Sequence, residues 1–321
     1  MLQPGRIAAI HVKDRIVPGG INGYGFQSAY PFHADCITHF AKHGFVYMGM
    51  KTIVTDVVRE NNQTYRLGWS EQCKDATKMG YGMPEYLLVF RKPQTDRAKS
   101  YSDVPVMKSK QRYTRSRWQI DAHGFMRSSG NRPLTTEDLD GQPHAAIFKL
   151  FRKYSLAEIY DFEQHVALSE SLERCAHCEH IHTGARSCGA PDCSCTIQGG
   201  RLPVTFMLLQ PQSWHPDVWT DITRMRTLNG SQEAKGREMH LCPMQFDLAD
   251  RVITQMSNPD DVVFDPFSGL GTVPVRAIKL GRRGIGVELN PRYFADSVSY
   301  CQAAENEHES PTLFDLLEVS A

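Results

Sequence analysis

The chain lacks any long apolar run. Although 41% of its 321 residues are hydrophobic, no stretch of about 18 consecutive apolar residues could cross a membrane. The first residues, MLQPGRIAAIHVKDRI, also lack the basic segment, apolar core and small-residue cleavage site that mark a signal peptide. We therefore expect a cytoplasmic protein that has no membrane partner.

The chain also lacks an excess of either charge, because 36 Lys and Arg balance 36 Asp and Glu. Net charge therefore predicts no partner, but the distribution of charge does. Between Arg91 and Arg132, eleven Lys and Arg stand against three Asp. Such a run is typical either of a solvated surface or of a surface that binds DNA phosphates. The candidate DNA-binding residues, one of them an aromatic that could stack on a base, are Lys108, Lys110, Arg112, Arg115, Arg117, Trp118, Arg127 and Arg132.

Cysteine is sparse except in one segment, since five of the nine cysteines lie between Cys175 and Cys195. A C-x2-C pair followed about ten residues later by further cysteines favours tetrahedral zinc over disulfides in a cytosolic chain. The alternative is a set of free thiols on a loop. The pattern offers more than four ligands, so the set stays ambiguous. We favour Cys175, Cys178, Cys193 and Cys195, with Cys188 or His182 as substitutes.

Strand and helix patterns alternate along the chain, which predicts an α/β fold. β-Branched and aromatic runs predict strands at 6–13, 45–58 and 83–92, and a helix at 33–43 ends at Gly44. The segment HPDVWTDI (215–222) is predicted as a loop or short helix. Toward the C-terminus, the pattern predicts a helix at 244–256, a strand from Val262, a glycine turn, a second helix, the strand GIGVELN and a last helix at 292–306.

The most specific local feature is DPFSGLGT, residues 265–272, which we call the glycine elbow. It joins an apolar strand to a helix. Gly269 and Gly271 allow the backbone a positive φ and a close approach to a ligand. The N-terminus of the following helix offers unpaired N–H groups and a partial positive charge, which suit a carboxylate or a phosphate.

A dinucleotide and S-adenosylmethionine both suit this elbow. The dinucleotide fingerprint requires a third glycine where this chain has Pro274, which argues against a nicotinamide cofactor. Glu288, at the end of the next strand, could accept hydrogen bonds from both ribose hydroxyls of either ligand. A turn without a ligand is the remaining alternative.

DPFSGLGT and GIGVELNPRY resemble the corresponding segments of DNA aminomethyltransferases, which modify adenine N6 or cytosine N4. The order resembles the circularly arranged group, in which the cofactor half follows the catalytic half. GRIAAIHVKD, EYLLVFRK and HLCPMQFDLADRVI resemble further segments of that group, and RWQIDAHGFMRSSGNR resembles a stretch of its phage and prophage members. The resemblance implies a Rossmann-like methyltransferase sheet with an inserted zinc-knuckle and recognition region.

The resemblance also implies roles for individual residues. S-adenosylmethionine would be the cofactor, and structural zinc would be held by the cysteine cluster. The methionine portion and sulfonium would be surrounded by Asp265, Phe267, Gly269, Gly271 and Thr272. Glu288 would hold the ribose, and His240 and Pro243 would line the pocket from the preceding segment.

One part of the family pattern is missing. Members carry an Asp/Asn/Ser-Pro-Pro-aromatic tetrapeptide, which accepts hydrogen bonds from the target amino group and stacks on the flipped base. The sequence contains only imperfect matches, at 265–267 and 290–293. We therefore assign no catalytic residue and expect a sheet that is incomplete in its catalytic half. A truncated reading frame, a gene remnant or a catalytic loop on a second polypeptide would each account for this.

The resulting hypothesis is a site-specific methyltransferase acting on double-stranded DNA, as in restriction-modification. The alternative is a catalytically inactive DNA-binding remnant or fragment of such an enzyme. We expect residues 1–95 to form the end of the catalytic half and 96–235 the recognition region, with the knuckle at 175–195. Residues 236–306 would form the cofactor half, and 307–321 a flexible tail.

Overall fold

The computed structural model describes residues 2–54, 84–110, 113, 117, 118, 121, 217–219, 222, 224 and 226–309. The chain divides into two compact units. The first contains Met1–His123 and Arg127–Asp221, and the second contains Gly124–Met126 and Ile222–Ala321. Both units combine strands and helices, which confirms the α/β class.

The first unit is built on a four-stranded sheet. Its strands are β1 (Ile7–Lys13), β4 (Val46–Ile53), β5 (Glu85–Arg91) and β6 (Val218–Trp219), in the order β1-β5-β4-β6. β5 pairs antiparallel with both β1 and β4. Leu87, Leu88 and Phe90 of β5 are buried, because this strand lies between two neighbours. The predicted strands at 6–13 and 83–92 are confirmed, as is the described part of the strand at 45–58.

The strand β6 corrects one prediction, because HPDVWTDI was expected to form a loop or short helix. Val218 and Trp219 instead pair parallel with Thr52 and Ile53 of β4, and the Lys51 Nζ donates to Asp217 Oδ1 at 2.8 Å. A two-residue strand is too short to show an alternating pattern, so only its distant partner reveals it.

A helix and a small ribbon accompany this sheet. Helix α2 (Phe32–Lys42) follows Pro31 and ends before Gly44, which has a φ of 82°, as predicted. Its Phe40 ring stacks on Phe90 with centroids 4.6 Å apart. The segment predicted as a glycine loop contains the one-turn helix α1 (Gly19–Asn22) between strands β2 (Arg15–Val17) and β3 (Ser28–Tyr30), which pair antiparallel.

The second unit contains the glycine elbow. Its elements are α3 (Asn229–Ala234), α4 (Phe246–Met256), β7 (Val262–Asp265), α5 (Thr272–Lys279), β8 (Arg283–Gly286) and α6 (Pro291–Glu309). The predicted helix–strand–helix–strand–helix order is confirmed, while α3 was not predicted. β7 and β8 pair parallel from Val262↔Arg283 to Asp265↔Gly286.

Helix α5 is held on both sides, and this fixes the elbow from which it starts. Leu270 and Val275 pack with Tyr300 and Ala304 of α6. On the other side, Ala277 packs with Ala249 and Ile253 of α4. Arg276 adds a bidentate ion pair to Asp250, with N···O distances of 2.6 and 2.8 Å.

Two expected features can be compared only with part of the chain. Among the described residues, no helix is long and apolar enough to cross a membrane. The same residues contain no group of three or more His, Cys, Asp or Glu that could hold a metal ion. The proposed zinc ligands Cys175, Cys178, Cys188, Cys193 and Cys195 lie outside the described residues.

Candidate functional site: the glycine elbow

The elbow starts where β7 ends and stays tied to the chain beyond β8. The Val287 N–H donates to the Asp265 carbonyl at 3.0 Å, and the Ser268 N–H donates to the Val287 carbonyl at 3.0 Å. The Ser268 hydroxyl donates to the same Val287 carbonyl at 3.2 Å. These bonds extend the parallel pairing past the two strands, so the elbow is an ordered turn.

Glu288 closes this turn, as the sequence predicts. Its Oε2 accepts the Gly269 N–H at 2.9 Å, and its Oε1 accepts the Asn290 N–H at 2.8 Å. A carboxylate has about four acceptor positions, so two remain for a ligand hydroxyl. Glu288 therefore holds the elbow and can still bind a ligand.

The two elbow glycines are required by protein contacts as well as by backbone conformation. Gly271 has a φ of 85° and precedes α5, and a Cβ there would lie 2.7 Å from the Cβ of Ser297. Gly269 has a φ of 53°, and a Cβ there would lie 3.0 Å from His240 Nε2. The sequence predicted close approach to a ligand, whereas the structure shows close approach to α6 and to His240.

Asp265 brings a second carboxylate to the elbow. Its Oδ1 accepts the Phe267 N–H at 3.0 Å. Burial raises the pKa of Asp265 most, the Phe267 hydrogen bond lowers it, and the nearby Glu288 charge raises it again. Two carboxylates at one turn favour a cationic ligand group and oppose a phosphate.

His240 is placed against the elbow from the segment before α4. Besides its approach to Gly269, its ring lies 5.1 Å from the Tyr293 ring, between centroids, and its Nδ1 accepts the Cys242 N–H at 3.2 Å. Pro243 follows in the same segment and is half-buried, and Thr272 is buried at the start of α5.

Two apolar side chains beside the elbow are almost fully exposed. Phe267 has a relative exposure of 87% and Leu289, which follows Glu288, one of 94%. Large apolar side chains at such exposure beside polar acceptors are typical of a ligand site. We predicted Phe267 but missed Leu289, although its place directly after the strand-ending acid was a signal.

The basic segment is described only in part. Lys108 Nζ lies 4.4 Å from the Tyr113 ring centroid, Lys110 is exposed, and Trp118 is 45% exposed. Arg117 Nε donates to the buried Asp121 at 3.0 Å, so part of its charge is used within the protein. The candidates Arg112, Arg115, Arg127 and Arg132 lie outside the described residues.

Comparison with known proteins identifies the family. The sequence matches the family N6_N4_Mtase, described as DNA methylase, over residues 7–299. Because this match covers most of the chain, the chain belongs to the N6_N4_Mtase DNA methylase family.

Individual relatives match over shorter stretches. The Type II methyltransferase M1.MboII of Moraxella bovis is 46% identical over 54 residues, 17% of this chain and 21% of that protein. The Type II methyltransferase M.BamHI of Bacillus amyloliquefaciens is 42% identical over 73 residues, 23% of this chain and 16% of that protein. The matched stretches thus span about a fifth or less of these relatives.

A comparison of structures finds TTHA0409 of Thermus thermophilus, solved in complex with S-adenosyl-L-methionine. The alignment covers 94% of this chain and 70% of that chain, at 19% identity and a TM-score of 0.43.

Proposed function

We propose that this chain binds S-adenosylmethionine at the glycine elbow and supports site-specific methylation of adenine N6 or cytosine N4 in double-stranded DNA. The proposal is supported most directly by the contact between Glu288 and the backbone of Gly269. This contact places a ribose acceptor beside the strand–turn–helix segment that would hold the rest of the ligand.

The charge of the elbow favours this ligand over a dinucleotide. S-adenosylmethionine carries a sulfonium and an ammonium, which Asp265 and Glu288 would attract, whereas a pyrophosphate would be repelled. The exposed Phe267 and Leu289 side chains would cover apolar parts of the ligand. The remaining contacts would come from His240, Pro243, Gly269, Gly271 and Thr272.

The proposed reaction moves the methyl group from the sulfonium sulfur to the exocyclic nitrogen, which loses a proton. This nitrogen is a weak nucleophile, so alignment with the methyl group contributes more than a strong base. The target base must leave the helix to reach the donor. The Pro-Pro tetrapeptide that would align it is absent from the sequence, so we propose that a second polypeptide supplies it.

DNA would be bound by the basic segment, within a recognition region at 96–235. This region separates the proposed end of the catalytic half, 1–95, from the cofactor half, 236–306. Lys108 and Lys110 support this assignment better than Arg117, whose guanidinium already pairs with Asp121. A DNA-binding remnant without activity, of the phage or prophage type, is the second candidate, and the missing tetrapeptide favours it.

A methyl-transfer assay tests this proposal. The chain is incubated with methyl-labelled S-adenosylmethionine and mixed-sequence duplex DNA, alone and with an added catalytic segment of a family member that carries the tetrapeptide. We expect label in N6-methyladenine or N4-methylcytosine only when the segment is present. Failure of the chain to bind the methyl donor would refute the proposal. Binding of donor and DNA without transfer in either reaction would favour the remnant.

We further propose that Cys175, Cys178, Cys193 and Cys195 hold structural zinc, with Cys188 or His182 as substitutes. Four thiolates would fold a segment that has few apolar residues of its own. Metal analysis of the purified chain should give one zinc per molecule, and Cys175→Ser with Cys178→Ser should remove it. The matched control, Cys36→Ser with Cys301→Ser, should keep it. A wild-type chain without zinc would contradict this proposal.

A further inference from the structure

The side chain of Asn229, at the start of α3, pairs with the backbone of a residue eleven positions later. Its Nδ2 donates to the His240 carbonyl at 2.8 Å, and its Oδ1 accepts the His240 N–H at 2.8 Å. Two bonds to one residue fix the orientation of its backbone as well as its position. Asn229 therefore determines where the His240 ring begins.

The ring itself is fixed on three sides. The Cys242 N–H donates to its Nδ1, Tyr293 lies against it, and its Nε2 approaches Gly269. When Nδ1 accepts a hydrogen bond, the proton of the neutral ring is on Nε2. An N–H donor of the ring therefore faces the elbow.

The segment between Asn229 and His240 is anchored to α6 by a second side chain. Gln232 is fully buried, donates to Asp296 Oδ2 at 2.7 Å and accepts the Tyr300 hydroxyl at 3.0 Å. Its Nε2 also donates to the Glu238 carbonyl at 3.1 Å. The frame that carries Asn229 is thus rigid on the side away from the elbow.

We infer that Asn229 is a positioning residue for the methyl donor: it holds His240 so that the Nε2–H meets the carboxylate of the methionine portion. This inference rests on the proposed function. It follows from complementary chemistry, because Asp265 and Glu288 suit the cationic groups of the donor and leave its carboxylate in need of a hydrogen-bond donor.

The test compares two ligands, S-adenosylmethionine and its decarboxylated form, by isothermal titration. The variant Asn229→Ala loses both bonds to His240, and Glu233→Ala on the exposed side of the same helix is the matched control. We expect Asn229→Ala to raise the Kd for S-adenosylmethionine about tenfold, as for a change of about 1.4 kcal/mol. The Kd for the decarboxylated ligand should stay within about twofold, and Glu233→Ala should change neither value.

A double-variant cycle shows whether Asn229 acts through His240. His240→Ala should weaken S-adenosylmethionine binding, and adding Asn229→Ala to it should have no further effect. The inference is overturned if Asn229→Ala matches Glu233→Ala, if it weakens both ligands equally, or if the two substitutions are additive. A wild-type chain that binds neither ligand would instead refute the proposed function.

Discussion

Replacing Glu288 with Ala should weaken binding of S-adenosylmethionine by about 100-fold or more. The variant loses two proposed hydrogen bonds from ribose hydroxyls to a charged acceptor, worth at least about 1.5 kcal/mol each. It also leaves the Gly269 and Asn290 N–H groups without their acceptor, which loosens the elbow. Isothermal titration of the variant and of wild type measures the effect.

A ligand without one ribose hydroxyl separates these two causes. If Glu288 binds the ribose, the 2′-deoxy analogue should bind wild type about tenfold more weakly than S-adenosylmethionine does. Glu288→Ala should bind the two ligands equally. Glu305→Gln, an exposed change on α6, serves as the control. Equal discrimination in wild type and Glu288→Ala would mean that this carboxylate shapes the elbow without contacting the ribose.

Replacing Gly271 with Ala should destabilise the second unit by about 3 kcal/mol. A left-handed conformation costs a residue with a Cβ about 1–2 kcal/mol, and overpacking against Ser297 adds about 1–3 kcal/mol. The free energy of unfolding, from urea denaturation followed by circular dichroism, measures the loss. Methyl-donor binding should fall as well, because Gly271 lies between the elbow and α5.

Gly230→Ala is the matched control, since Gly230 lies in α3 and a Cβ there would meet no atom within 4 Å. Its φ is not positive, so Ala should be neutral or stabilising by up to about 1 kcal/mol. Combining Gly271→Ala with Ser297→Gly tests the contact itself, because only the packing part should be relieved. A Gly271→Ala variant within about 0.5 kcal/mol of wild type would show that neither the backbone conformation nor the Ser297 contact requires glycine.

The sequence predicted the local elements of the fold because their signals are local. Helix α2 ends at a glycine, and the strand, glycine turn and helix around residues 265–272 follow one another without interruption. Strand β6 escaped prediction because its two residues pair with β4, far away in the chain. Helix α3 escaped because two of its six residues, Asn229 and Gly230, are poor helix formers.

The candidate site was predictable to the same extent. The spacing between the elbow and Glu288 placed a carboxylate at the turn, but it did not reveal that this carboxylate binds the Gly269 backbone. The side chain that excludes a Cβ at position 271 belongs to Ser297, on a helix whose packing depends on the whole unit. Asn229 gives no signal of its own, because its pairing with His240 appears only in the folded chain.

The methyl donor is therefore the ligand on which the assignment of the elbow depends. Titration of the purified wild-type chain with S-adenosylmethionine and, separately, with NAD tests it most directly. We predict saturable binding of one S-adenosylmethionine per chain and no heat of binding with NAD. A chain that binds NAD, or that binds neither ligand, would contradict this assignment.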